Sequence, residues 1–175
     1  FESAGVLGTV EKFGCLGTVS TEPEVRTITK ICEGDTVKEV TKITKLTVTV
    51  AAHIGADVLR KVFGLSNEGL EVGVFGLGTG SNPGKGVLTF DALNLEETET
   101  KLMAYPNMQF TSGFVQNYEN GIEEIALTEL TFSAFKDENG FFYYEAFTSE
   151  TTDPTLKDVW HTAFEPDLVK LVVGP

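Results

Sequence analysis

Alternation of apolar and polar side chains is the feature of this sequence that most constrains its fold. It is clearest in residues 46–50, Leu-Thr-Val-Thr-Val, and in residues 128–132, Thr-Glu-Leu-Thr-Phe. Because successive side chains of a strand point to opposite faces, a period of two indicates strands with one buried face. Similar short segments bounded by turn residues recur along the chain, which is typical of a β-sandwich or a barrel.

About eight strands are predicted in this way. The turn residues Glu33-Gly34-Asp35-Thr36 separate segments 25–32 and 37–52, which therefore form a hairpin with a long second strand. Lys38, Lys42 and Lys45 replace apolar residues there, so we expect a hairpin arm at about 25–52 that projects from the core. The other predicted strands are 72–77, 86–91, 101–105, 110–115, 125–135 and 141–147, and the last two should pair across the turn at 136–140.

Helical patterns are few. Residues 56–63 place Val58, Leu59, Val62 and Phe63 on one face, and Gly64 can end the helix in the left-handed conformation. Near the C-terminus, segment 155–160 can be a helical turn, and segment 159–164 can equally be a strand. The expected fold is therefore mainly β, a β-sandwich or split barrel with one short flanking helix, in a single domain over residues 1–175.

The charge balance disfavours tight binding to nucleic acid, because the chain has a formal net charge of -13 with 26 acidic and 13 basic residues. The charge is unevenly placed: residues 26–61 contain seven bases and four acids, whereas residues 96–175 contain four bases and 15 acids. No apolar run approaches the roughly 20 residues of a membrane-spanning helix, so no membrane partner is expected. Cys15 and Cys32 lack the spacing of a metal site and are interpreted as two buried free thiols.

Residues that resemble catalytic or binding motifs have simpler interpretations. The glycine-rich segment 76–86 lacks the spacing of a phosphate-binding loop and lies between predicted strands, so we interpret it as a flexible loop. His53 and His161 lie outside hydrolase motifs and are interpreted as hydrogen-bonded structural histidines. The pairs Glu96-Glu97 and Glu123-Glu124 are expected on the surface, and Trp160 with Phe164 in the core. No catalytic, cofactor-binding or metal site is predicted.

An ordered set of short segments along residues 25–169 resembles the major tail proteins of long-tailed, siphovirus-like bacteriophages. The segments are Glu33-Gly34, Ala51-Ala52-His53, Asp57-Val58-Leu59-Arg60, Phe63-Gly64-Leu65, Gly69-Leu70, Phe75-Gly76, Glu119-Asn120-Gly121, Glu123-Glu124-Ile125-Ala126, Asn139-Gly140-Phe141-Phe142-Tyr143-Tyr144-Glu145 and Trp160-His161.

This resemblance implies a structural virion protein, and no enzyme, that forms stacked rings of six copies in the phage tail tube. The inner sheets of a ring would join into a barrel through which double-stranded DNA passes without specific binding. Tape-measure and tail-terminator proteins would be further partners, and assembly would take place in the host cytoplasm. A hypothesis from the charge contrast is that Lys38, Lys42 and Lys45 contact an acidic surface of the next ring.

The sequence is also compatible with other functions. One is the related tube of a contractile or secretion apparatus, which would share the fold and differ in its partners. Another is an extracellular β-sandwich that binds a receptor or a carbohydrate, which would show exposed aromatic side chains in a groove. A third is an enzyme that uses His53 or His161 with nearby carboxylates.

Overall fold

The computed structural model describes residues 1–3, 6–33, 35–93, 98–114 and 127–170 of the 175-residue chain. Strands dominate, so the protein is mainly β, as the sequence predicts. In chain order the elements are β1 (Glu2–Ser3), β2 (Val6–Leu7), β3 (Gly14–Cys32), β4 (Asp35–Ile54), α1 (Ala56–Phe63), β5 (Lys85–Leu93), β6 (Thr100–Phe110), β7 (Thr128–Ala134), β8 (Tyr144–Phe147), α2 (Leu156–Trp160) and a 3-10 turn (Pro166–Val169).

One antiparallel sheet of six strands organises the molecule, in the order β3-β4-β7-β6-β5, with β8 also paired to β6. Along one edge of β6, β7 pairs with Met108 to Phe110 and β8 pairs with Lys101 to Ala104. Strand β5 occupies the opposite edge of β6 over almost its whole length. Because two different strands share one edge of β6, the sheet divides there, and a split sheet of this kind is compatible with a β-sandwich.

The larger core lies on the face of the sheet to which α1 packs. Val48, Val50 and Ala52 of β4 point to this face, and they meet Leu130 and Phe132 of β7. Helix α1 adds Val58, Val62 and Phe63 to the same cluster. The helix has the predicted bounds, and it ends at Gly64, whose φ of 67° is left-handed. The N–H groups of Gly64 and Leu65 bond to Lys61 and Arg60, which satisfies the last carbonyls of the helix.

A second core forms where β6 leaves β7 and pairs with β8. Leu102, Ala104, Trp160 and Phe164 are its buried members. The rings of Trp160 and Phe164 lie 4.8 Å apart edge to face, and the Trp160 indole N–H donates to the Met103 carbonyl at 3.1 Å. Trp160 ends α2, so the segment that the sequence left open between helix and strand is helical.

Strand β3 is longer than the sequence predicts, since it begins at Gly14 rather than at residue 25. Pro23 lies inside it, opposite Leu46 of β4. A proline within a sheet is tolerated on an edge strand, because the missing N–H can fall on the unpaired side. The first half of β3 was therefore missed in the sequence, although it pairs with β4 on both sides of Pro23.

The strand predicted at 72–77 is absent, and the prediction was wrong. The chain there makes turns closed by Leu70 N–H to Asn67 and by Val74 N–H to Glu71, with an isolated bridge between Ser66 and Gly76. Gly73 has a φ of 86°, which a regular strand does not accommodate. An apolar run with glycines is therefore a loop here.

Strand β6 covers the strand predicted at 101–105 and continues through Pro106 to Phe110. The prediction of a separate strand at 110–115 was wrong, because of residues 110–114 only Phe110 lies in a strand. Between the pairs Gly86 with Met108 and Leu88 with Tyr105, one residue of β5 faces two residues of β6, Pro106 and Asn107, so Pro106 lies in a bulge. A bulge removes the need for the missing N–H. Val115 lies outside the described residues.

The hairpin predicted between 125–135 and 141–147 was also wrong in its pairing. The turn forms, with Asp137 N–H to Phe141 and Gly140 N–H to Asp137. Strands β7 and β8, however, pair with different parts of β6 instead of with each other. Ile125 and Ala126 lie outside the described residues.

Cys15 is a free thiol, but it is exposed rather than buried, which corrects the sequence interpretation. It pairs with His53 at the start of β3, whereas the backbone of Cys32 pairs with Asp35 at the other end. Along a strand the two Cα atoms are separated by about 55 Å. A disulfide requires about 7 Å or less, so the two cysteines of one chain cannot be joined.

Candidate assembly surfaces

The hairpin of β3 and β4 extends beyond the body of the protein. Strand β4 pairs with β7 only from Leu46 to Ala52, and its first eleven residues pair with β3 alone. The described side chains from Ser20 to Glu39 are all exposed. Residues 24–32 form a strand of about 30 Å at 3.3 Å per residue. We call residues 24–45, which comprise this part of β3, the turn and the facing part of β4, the arm.

The two faces of the arm differ in chemistry. From Val25 to Lys30 the register with β4 has no bulge, so directly paired side chains share a face and alternate along each strand. One face, which we call the cationic face, has no acidic side chain. The cationic face consists of the pairs Arg26 with Lys42, Ile28 with Val40, and Lys30 with Lys38. The other face consists of the pairs Val25 with Ile43, Thr27 with Thr41, and Thr29 with Glu39.

Of the three lysines singled out from the sequence, the structure brings together Lys38 and Lys42. Lys45 lies at the base of the arm, half-buried, where its Nζ is 2.9 Å from Glu24 and donates to Ser133 at 3.3 Å. The hydrogen bond from Lys45 lowers the pKa of Glu24. Lys45 is therefore engaged within its own chain, while Lys38 and Lys42 have no ion-pair partner in the described ranges.

Sequence reasoning missed Arg26 and Lys30, which complete the cationic face. Their signal was present, since both alternate with Ile28 on a predicted strand. Assigning them to the face of Lys38 and Lys42 requires the cross-strand register, however. That register is shifted by a bulge between Lys30 and Ile31, next to the turn. Counting outward from the turn would therefore have placed the side chains on the wrong faces.

Three strands of the six-stranded sheet have one partner strand each and therefore an unpaired edge: β3, β5 and the short β8. Strand β3 pairs only with β4, and β5 pairs only with β6. No other backbone hydrogen bond reaches residues 14–32 or 85–93 from the part of the chain that the structure describes. The edges of β3 and β5 are at opposite ends of the strand order, and an unpaired edge is a template for another strand.

An apolar cavity of about 730 Å³ lies between the N-terminal segment, β5 and the end of α2. Its apolar wall includes Leu7, Phe13, Leu88 and Phe90. His161 is at this cavity, with Nδ1 at 3.0 Å from the Thr89 hydroxyl and Nε2 at 3.7 Å from Asp91. His161 is thus hydrogen-bonded, as predicted.

His53 does not fit its prediction as a hydrogen-bonded structural residue. It is exposed on β4 next to Cys15, and no hydrogen bond of its side chain occurs within the described ranges. It does not line the cavity that contains His161, so the structure does not bring the two histidines together. The exposure follows from its position near the end of β4, beyond the last residue paired with β7.

The glycine-rich segment 76–86 forms a loop that leads into β5. Ser81 N–H bonds to the Gly78 carbonyl, and the Ser81 hydroxyl accepts from Gly78 N–H at 3.0 Å. A strand follows the loop, so the helix N-terminus that binds phosphate in nucleotide sites does not follow it. The loop is therefore a connection between α1 and β5. The pairs Glu96-Glu97 and Glu123-Glu124 lie outside the described residues.

Trp160 and Phe164 do not form an open platform for a ligand. Their exposed fractions are 1% and 4%, so both belong to the core, as the sequence predicts. The tyrosines nearest to this core make hydrogen bonds within the chain, such as Tyr144 to Asp137 at 2.6 Å.

Within the described ranges, the structure contains no helix long and apolar enough to span a membrane. The same ranges contain no group of three or more His, Cys, Asp or Glu side chains arranged to hold a metal ion. Comparison with known proteins finds no protein-family model and no curated protein that matches the chain.

Proposed function

We propose that this protein is a structural subunit that polymerises into stacked rings and forms the tail tube of a long-tailed bacteriophage. The single observation that carries the proposal is the pair of unpaired edges, β3 and β5, at opposite ends of one sheet. Pairing of β3 of one copy with β5 of the next is a head-to-tail contact. Repetition of such a contact closes a ring when the rotation fits.

Edge pairing between copies also removes a hazard. An open edge as long as β3, which has 19 residues, favours uncontrolled association of strands. Pro23 is the one proline in this strand, so most of the edge can pair with another strand. A neighbour that completes the edge in one defined register explains why the edge is kept so long.

The acidic balance of the chain suits the wall of a conduit. A net charge of -13 per copy disfavours adhesion of double-stranded DNA, which carries about one negative charge per 1.7 Å. In this proposal the DNA passes through the lumen without specific binding, and the protein is part of the virion after assembly in the host cytoplasm. Tape-measure and tail-terminator proteins would be further partners.

The first test is electron microscopy of the purified chain at high concentration, with sedimentation velocity on the same samples. We expect rings of uniform diameter or hollow rods. A chain that sediments as a monomer under all salt conditions would contradict the proposal and would favour a receptor-binding or enzymatic role.

A pair of proline variants tests the edge itself. Successive residues of an edge strand point their N–H groups alternately toward the neighbouring strand and away from it. Asp91 and Ala92 follow each other in β5, so Asp91→Pro and Ala92→Pro remove N–H groups that point in opposite directions. One variant loses an N–H that points away from β6, and the other loses an N–H that bonds to β6. We expect the variant that loses the N–H pointing away from β6 to keep its thermal stability and to lose assembly. Normal rings from both variants would show that β5 is not at the ring contact.

A further inference from the structure

The cationic face of the arm is unfavourable for an isolated hairpin. Arg26 is directly opposite Lys42, and Lys30 is directly opposite Lys38. Like charges in directly opposed positions destabilise a strand pair, and no carboxylate on this face offsets them. The opposed cations are explained if an acidic surface covers the face in the working state of the protein.

The same face has an apolar centre. Ile28 and Val40 are paired between the two cation pairs, at a spacing of about 7 Å from each along the strands. Ile28 is 50% exposed. A complementary surface must therefore present carboxylates together with apolar side chains.

The loop of residues 66–76 has these properties. Glu68 and Glu71 are exposed and have no ion-pair partner in the described part of the chain, and residues 62–84 contain no basic side chain. Between and beside the two carboxylates are Leu70, Val72 and Val74, of which Val72 is fully exposed.

The loop is also held in a defined shape. The Ser66 to Gly76 bridge closes it, and the two turns at Asn67 and Glu71 order its interior. At its base, the Arg60 guanidinium lies 4.1 Å from the centre of the Phe75 ring. A preorganised loop loses little conformational freedom when it binds, which favours docking.

We propose that the cationic face of the arm of one copy docks on the loop of residues 66–76 of a second copy. The cations Arg26, Lys30, Lys38 and Lys42 meet Glu68 and Glu71, and Ile28 and Val40 meet the apolar residues of the loop. The two surfaces lie on different parts of the chain, so the contact is head to tail and propagates from copy to copy. This inference rests on the proposed function, and it names the residues that connect the copies.

A charge swap tests the contact. Lys38→Glu with Lys42→Glu should weaken assembly at least tenfold in the concentration needed to form rods, measured by sedimentation velocity and microscopy. Adding Arg26→Glu and Lys30→Glu, which complete the charge reversal of the cationic face, together with Glu68→Lys and Glu71→Lys should restore assembly. The matched control is Lys12→Glu with Lys157→Glu, which changes the net charge equally at exposed positions outside both surfaces and should assemble like the unmodified chain.

Each other result overturns the inference. If the unmodified chain assembles and the Lys38→Glu, Lys42→Glu variant assembles equally well, the docking contact is wrong while the proposed function stands. If the swap does not restore assembly, the loop is not the acceptor. If the unmodified chain never assembles, the proposed function and this contact fail together. Salt-sensitive binding of duplex DNA that disappears in the arm variant would assign the cationic face to nucleic acid instead.

Discussion

Three tyrosines show how single side chains connect the elements of this fold. The Tyr105 hydroxyl is 2.5 Å from the Thr21 hydroxyl and joins β6 to β3. Tyr143 donates to Glu145 at 2.8 Å, and Tyr144 donates to Asp137, which also accepts the N–H groups of Asn139 and Phe141. Burial is the main cause that raises the pKa of all three hydroxyls.

Tyr144 gives a prediction at the scale of the residue. Burial, and then the hydrogen bond to Asp137, raises the pKa of Tyr144 from 10.0 to about 12. Folding thus favours the neutral phenol, and this stabilisation is complete below pH 10 and is lost as the pH rises to about 12. We expect the free energy of unfolding to fall between pH 10 and 12, and to fall less in Tyr144→Phe. Urea unfolding followed by circular dichroism at pH 8 and pH 11 measures the difference; equal losses in both proteins would contradict the assignment.

At the scale of the element, the end of α1 depends on one glycine for two reasons. Gly64 has a φ of 67°, and its Cα lies so close to the Asn82 backbone that a Cβ would collide with the Asn82 carbonyl oxygen. The same approach brings the end of the loop back to the helix, where Gly84 N–H bonds to the Val62 carbonyl at 2.9 Å. Gly64 therefore ends the helix and also places the start of β5.

Two alanine variants separate these two reasons. Gly69 has a similar φ of 73°, and a Cβ there would meet nothing within 4 Å. Gly69→Ala should therefore cost about 1–2 kcal/mol, which is the penalty of the left-handed conformation alone. Gly64→Ala should cost about 1–3 kcal/mol more, because the backbone of Asn82 must move. Urea unfolding measures both values, and equal losses would show that Asn82 yields without strain.

At the scale of the whole molecule, the arm contributes exposed surface rather than core. Val25, Ile28, Ile31, Val37 and Ile43 are all at least half exposed, and among the described elements no other strand pairs with this part of the hairpin. A two-stranded hairpin by itself is marginally stable in water. The arm is therefore expected to matter for association between copies and little for the stability of one copy.

An arm-shortened variant tests this division. Residues 26–42 are replaced by Asn-Gly, a turn that suits the pair Val25 and Ile43. We expect the free energy of unfolding to change by less than about 1 kcal/mol, because surface changes and loop shortening have small effects. Assembly should be lost in sedimentation velocity. A loss of several kcal/mol would show that the arm supports the fold of its own chain.

Local patterns in the sequence determined the elements whose partners are near in the chain. Helix α1 was predicted with its bounds and its terminal Gly64, because periodicity and the left-handed stop are both local signals. The hairpin of residues 25–52 was found because alternation and a turn define an adjacent pair of strands. The mainly β fold followed from the same period of two.

Only the tertiary structure decided which strands pair and which side chains share a face. The turn at Asp137 suggested that β7 and β8 pair, but β7 pairs with β4 and with the end of β6, and β8 pairs with the first half of β6. The sequence grouped Lys45 with Lys38 and Lys42, but in the structure Lys45 contacts Glu24 and Ser133 at the base of the arm. The register of β3 and β4 places Arg26 and Lys30 on the same face as Lys38 and Lys42. The physical reason is that register and edge choice depend on contacts between residues far apart in the chain, whereas periodicity and turn chemistry depend on neighbours.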